Sequence, residues 1–193
     1  APRAAFADFY DTWYRPSRMA VIAVGDFDPE VIEKHIVDTF SSLQPRGPGR
    51  ADPELGSPDV FSGIRAFHHH EPEAGSSAVC IQTVDALSPE PDNAARRIRE
   101  LPRRLAAAML SRRIDILSKQ ENAPFISGHA SIHDGIGRIY RNGFFELTCK
   151  PELWAETLAV AEQELRRALQ YGFQPAELTE ARANLLNALE QAA

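Results

Sequence analysis

Hydrophobic positions along this chain fall into blocks of different period, and each period predicts an element. Phe6, Phe9, Tyr10, Trp13 and Tyr14 recur at three- and four-residue spacing, which places an aromatic stripe on one helical face. Pro16 disfavours helix at Arg15 and ends that run. Met19 to Val24 is continuously apolar, carries three β-branched side chains and stops at Gly25-Asp26, so it predicts a strand buried on both faces. Asp28-Pro29-Glu30 marks the next helix start, with Asp28 as N-cap, Pro29 at N1 and a carboxylate in the first turn. Val31, Ile32, His35, Ile36, Thr39 and Phe40 carry its apolar face toward Leu43.

Gln44 to Pro58 holds Pro45, Gly47, Pro48, Gly49, Pro53, Gly56 and Pro58, too much punctuation for a regular element, and predicts a linker over the surface. Ile64–His70 and Ser76–Val84 predict two strands joined by Glu71-Pro72-Glu73-Ala74-Gly75. Asp92 to Lys119 predicts a long helix, with Ile98, Leu101, Leu105, Ala108, Met109 and Ile116 on one face and a kink or restart at Pro102. Arg96, Arg97, Arg99, Arg103 and Arg104 gather on its other face, read here as the solvated side of a core helix rather than an anionic contact surface. Phe125 to Ile132 predicts a strand running to the hairpin signal Asp134-Gly135. Trp154, Leu158, Ala161, Leu165 and Ala168 form the stripe of a helix over Glu152–Leu169, with Gly172 suited to C′. The expected fold class is α+β, mainly antiparallel β-sheet with helices packed on one face.

Composition narrows the classes. The 193 residues are 44% hydrophobic and 25% charged, enough for one good core or two small ones. A formal charge of -6 argues against nucleic acid or other polyanions as partners. No apolar run approaches the roughly 20 residues a bilayer crossing needs. Cys80 and Cys149 both fall in expected strands and are read as buried thiols rather than a disulfide. The chain opens directly into one helical pattern and closes inside another, so both ends are read as boundaries within a longer polypeptide.

Four segments then combine. Phe9-Tyr10, Tyr14-Arg15-Pro16-Ser17-Arg18-Met19, Val24-Gly25-Asp26 and Phe40-Ser41-Ser42-Leu43 give an aromatic pair, a Tyr-x-Pro-x-x-Met step, a strand closed by Val-Gly-Asp and a helix ending in Phe-x-x-Leu. Tyr171-Gly172-Phe173-Gln174-Pro175-Ala176-Glu177-Leu178 adds a Gly-hydrophobic-x-x-x-Glu-Leu step before a helix. This ordered set resembles the insulinase/pitrilysin family of zinc metallopeptidases over nearly the whole chain. The resemblance implies that the zinc helix, His-x-x-Glu-His, and its acidic third ligand lie before Ala1. Residues 1–43 would then be the tail end of the zinc-type domain or the start of this one, 44–59 a Pro/Gly-rich linker, and 60–193 a second, non-zinc domain. The implied role is a fragment of a zinc-dependent endopeptidase, inactive by itself, that supplies the structural, substrate-enclosing domain. The alternative is a non-catalytic homologue acting as an assembly or chaperone-like subunit. Zinc is implied for the parent and none for this portion. The implied partners are a peptide or protein substrate and the zinc-bearing domain of the same polypeptide. The compartment stays open between periplasm and cytoplasm, with the resemblance favouring the periplasm.

The residues themselves offer no convincing active site. His68 and Glu71 match the first and fourth positions of the inverted zinc motif, but Pro72 stands where its second histidine belongs. His68 and His70 on one face of a strand could still chelate a metal, yet no third ligand is in view. His129 and His133 read as sheet-surface histidines. Gly135-Ile136-Gly137 lacks the third glycine and the helix of a dinucleotide loop. Some family members supply an Arg and a Tyr to the tetrahedral intermediate from a later domain. Here Phe125 stands where that Tyr would be and no Arg lies in the seven residues before it, so the pair is not carried over. No catalytic, metal-ligating or substrate-binding residue is therefore assigned.

Overall fold

The computed structural model describes residues 2–54, 56–59, 61–88 and 90–192. The chain divides into two units, Ala1–Glu54 and Leu55–Ala193.

The first unit holds α1 (Arg3–Trp13) and α2 (Pro29–Phe40). Pro16 begins a single 3-10 turn after α1, as expected of a residue that fixes φ and has no N–H to give. Asp28 caps α2 by accepting a hydrogen bond from the Glu30 backbone N–H at 2.9 Å. The aromatic stripe of α1 stacks on itself, Tyr10 on Tyr14 at 4.7 Å between centroids, with Phe9 6.4 Å from Trp13. Three arginines pin the Pro/Gly-rich stretch within this unit: Arg15 donates to the Gly47 carbonyl, Arg18 pairs with Asp52, and Arg50 pairs with Asp8.

Met19–Val24 corrects the sequence expectation. It lies outside any strand, and Ile22 and Val24 are 83% and 92% exposed instead of buried on both faces. The apolar, β-branched pattern states a preference, but a strand exists only when a neighbouring backbone pairs with it, and none does here. Ile64–His70 fails as a strand for the same reason; its residues are exposed and irregular. The chain then turns at Glu71–Ala74, where the Ala74 N–H donates to the Glu71 carbonyl.

The second unit is built on β1 (Ser77–Ala86), β2 (Ser127–Asp134) and β3 (Tyr140–Cys149). The sheet order is β1-β3-β2, antiparallel throughout. α3 (Ala94–Leu117) lies against β2, α4 (Trp154–Tyr171) against β1 and β3, and α5 (Pro175–Gln191) against α3. This is the expected α+β class. The core sits between sheet and helices: Val79, Phe145, Leu147 and Cys149 from the strands, Leu110 and Ile114 from α3, Ala161 from α4, and Phe125 before β2. Gly128 lets α3 approach, because a Cβ there would meet the Glu146 carbonyl oxygen at 2.7 Å and Ile114 Cγ2 at 2.9 Å.

Two helical faces and one proline differ from expectation. α3 buries Met109, Leu110 and Ile114 while Ile98 and Ile116 stay exposed, so its core stripe is rotated toward one end. α4 buries Thr157, Ala161 and Glu164, leaving Trp154 exposed. The Thr157 hydroxyl donates to the Pro124 carbonyl, so a polar side chain with a partner takes a place that the hydropathy pattern gave to its neighbours. Finally, α3 runs without interruption through Pro102, which costs the Ile98 carbonyl its intrahelical donor on an exposed flank.

Candidate functional site: the uncovered sheet face and an arginine recess

Strand alternation separates the sheet's two faces. Phe145, Leu147 and Cys149 point at the helices, so the even-numbered residues of β3 look the other way, onto a face that no helix of this unit covers. Register places three cross-strand rows there: Cys80, Glu146 and His129; Gln82, Phe144 and Ser131; Val84, Asn142 and His133. The Gln82 amide donates to the Asn142 side-chain oxygen at 2.8 Å, and the His129 ring tilts over Phe144 at 5.7 Å. His129 and His133 are thus sheet-surface histidines, as expected. The rows themselves were invisible in the sequence, because they exist only once the register is fixed; the hairpin signal at Asp134-Gly135 was the one local clue.

Cys80 and Cys149 part company. Both are free, but Cys149 is buried and Cys80 exposed on the uncovered face, which corrects the expectation of two buried thiols. Partial burial, and then the negative charge of Glu146 beside it, push the Cys80 thiol up from its ordinary value. A thiol held in its neutral form is a poor nucleophile near neutral pH.

The arginines of α3 are not all solvated either. Arg96 is only 7% exposed, and its guanidinium engages Glu90 and Asp134. Asp134 also receives Arg141, and Arg141 reaches Glu100 at 2.9 Å, so a chain of alternating charge ties the first half of α3 to the β2–β3 hairpin. This network borders a solvent-open recess of about 500 Å³ beside the hairpin turn. A second, smaller cleft of about 230 Å³ lies between α3 and α5, floored by Leu105, Ala108, Met109 and Ala181.

Further along α3, Arg113 fastens the α4–α5 corner. Its guanidinium makes two hydrogen bonds to Glu177, at 2.6 and 2.9 Å, donates to the Gly172 carbonyl and lies over the Phe173 ring. Arg113 foremost, and then the Gln174 N–H, hold the Glu177 carboxyl below the usual carboxylate range against a desolvation that opposes them. Glu177 doubles as the N3 partner of the α5 capping box with Gln174. The Gly-Phe-x-x-x-Glu-Leu step of the sequence is therefore a structural clasp, and Gly172 supplies it with φ +68°, a backbone conformation that favours glycine.

His68, His69 and His70 are exposed on irregular backbone, and among the described residues no group of three or more His, Cys, Asp or Glu is placed to hold a metal ion. Phe125 is buried in the core, where it can serve no substrate. The chemistry the arrangement can perform is contact: a polar sheet face and a charged recess on a braced scaffold.

Several known proteins resemble this chain. A zinc protease PQQL-like protein of Arabidopsis thaliana is 28% identical over 156 residues, covering 75% of this chain and 15% of that protein. The periplasmic protease PqqL from Escherichia coli superimposes with a TM-score of 0.68 at 19% identity, over 100% of this chain and 21% of that one. A predicted insulinase family protease from Yersinia pestis gives 0.64 at 19% identity, over 98% and 40%. This chain thus spans less than half the length of each of these relatives, and the two structural likenesses show the fold. Residues 1–185 match the family described as peptidase M16 inactive domain, and the chain belongs to that family.

Proposed function

We propose that this chain is the non-zinc, substrate-enclosing portion of a zinc-dependent endopeptidase and hydrolyses no peptide by itself. One observation carries the reading: in a chain of the inactive-domain family, the two helices that pack on the sheet, α3 and α4, share one face of it, and no described helix of the unit covers the other, largely polar face. A wall that lines a peptide chamber needs such a face. Here Gln82, Ser131 and His133 offer donors and acceptors to an extended backbone, and Phe144 offers an apolar contact between them. The zinc-bearing domain of the same polypeptide would supply the metal, which polarises the scissile carbonyl and activates water. This chain's residues would position and enclose. On this reading 1–43 closes the zinc-type domain or opens this one, 44–59 links, and 60–193 forms the wall. A periplasmic setting is part of the proposal, supported by the name of the Escherichia coli relative.

Cys80 provides the test, since it is exposed on the uncovered face while Cys149 is buried. In the parent protein, a thiol-reactive probe at mildly alkaline pH labels Cys80, and mass spectrometry of its tryptic peptide gives the rate. Saturation with a peptide substrate under chelation slows that labelling several-fold. An unchanged rate means that the face does not meet substrate.

A further inference from the structure

The recess beside the β2–β3 turn contains a charge imbalance that the fold does not use. Its carboxylates are already engaged: Asp134 by Arg96 and Arg141, Glu100 by Arg141 and Arg103, Asp92 by Arg97. Arg104 and Arg138 line the same recess, both exposed, and neither forms an ion pair among the described residues. Two guanidinium groups that hold no carboxylate at ion-pair distance among the described residues thus share one concavity in a chain whose formal charge is -6. Their mounting is specific. Arg104 projects from α3 two residues beyond Pro102, and Arg138 sits in the hairpin turn with φ +55°, the one described non-glycine residue at positive φ. Left-handed backbone is unfavourable for an ordinary L-residue, so the turn holds this arginine at some expense.

We propose that this recess docks an acidic stretch of a polypeptide, whose carboxylates pair with Arg104 and Arg138. Guanidinium favours carboxylates because its fork of donors matches their two oxygens. The engaged acids around it set the fit. Asp92, Glu100 and Asp134 repel further anions except at the two free guanidinium groups, so a ligand with a few separate carboxylates suits the recess, whereas a polyphosphate backbone would meet those acids and the net negative charge of the chain along its length. The proposal rests on the enclosing role above only in taking a polypeptide as the ligand. Binding is read without hydrolysis, so it can fail while the peptidase reading stands, and the reverse.

The experiment is fluorescence anisotropy of this chain with a labelled dodecapeptide of alternating aspartate and glutamate, and with its asparagine/glutamine counterpart. The variants are Arg104→Glu with Arg138→Glu, the same pair changed to Gln, and Arg182→Glu as an exposed control on α5 with half the charge change of the Glu pair. Circular dichroism verifies that each is folded. The acidic peptide binds and the neutral one does not. The double Glu variant binds about tenfold more weakly, the Gln pair falls between, Arg182→Glu stays near wild type, and raising salt from about 50 to about 200 mM weakens binding. A loss in Arg182→Glu in proportion to its charge change, about threefold, would show bulk charge and overturn the site. So would equal binding of the neutral peptide, or tighter binding of a single-stranded RNA lost in the same variants.

Discussion

Glu177 shows how much one residue does in this structure. It accepts two hydrogen bonds from Arg113, closes the α5 capping box and so fixes the corner where Gly172 and Phe173 turn the chain. Its folded-state pKa lies below the ordinary value, chiefly through Arg113. A carboxyl depressed on folding adds stability that is present above its unfolded pKa, about 4.3, and that is lost as pH falls through the lower folded value. Urea unfolding of wild type and Glu177→Gln should therefore differ by about 1 kcal/mol at neutral pH, and the gap should close in acid below about pH 4. A gap that persists in acid would mean the carboxylate's charge is not what matters. At this scale the sequence was legible where chemistry is local: the Asp28 cap and Gly172 stand where their neighbours placed them. Arg96 was not, because one of the two acids that hold it buried, Asp134, lies 38 residues away.

Among elements, those that close their own hydrogen bonds were readable and those that need a partner were less so. All five helices lie within a few residues of their expected places, and β1 and β2 follow their patterns. Met19–Val24 and Ile64–His70 carry the same kind of pattern without a paired backbone, and periodicity contains no information about that. Edges make the point in reverse. In β2 the Ala130 backbone is held from outside the sheet, its N–H donating to the Ser111 hydroxyl of α3 at 2.9 Å and its carbonyl accepting from it at 3.2 Å. That hydroxyl occupies an edge that would otherwise be open to a foreign strand. Ser111→Ala should cost about 1 kcal/mol of stability and speed hydrogen exchange at the Ala130 amide well beyond that at its neighbours. Uniform acceleration along β2 would instead indicate general loosening of α3.

For the whole molecule, the family was readable from an ordered set of weak motifs. What the sequence hid was the surface that remains: a polar sheet face assembled by register from three strands, and a recess assembled from a helix and a hairpin. Both depend on contacts across many residues of chain, which is why motif reading passed over them. The central claim is that this chain encloses and positions while another domain hydrolyses. Its most direct test is peptide cleavage with added zinc, comparing the isolated 193-residue chain with the full-length parent. The account predicts no turnover by the chain, and turnover by the parent that a chelator abolishes and zinc restores. Zinc-dependent cleavage by the chain alone, lost on His68→Ala, would contradict it.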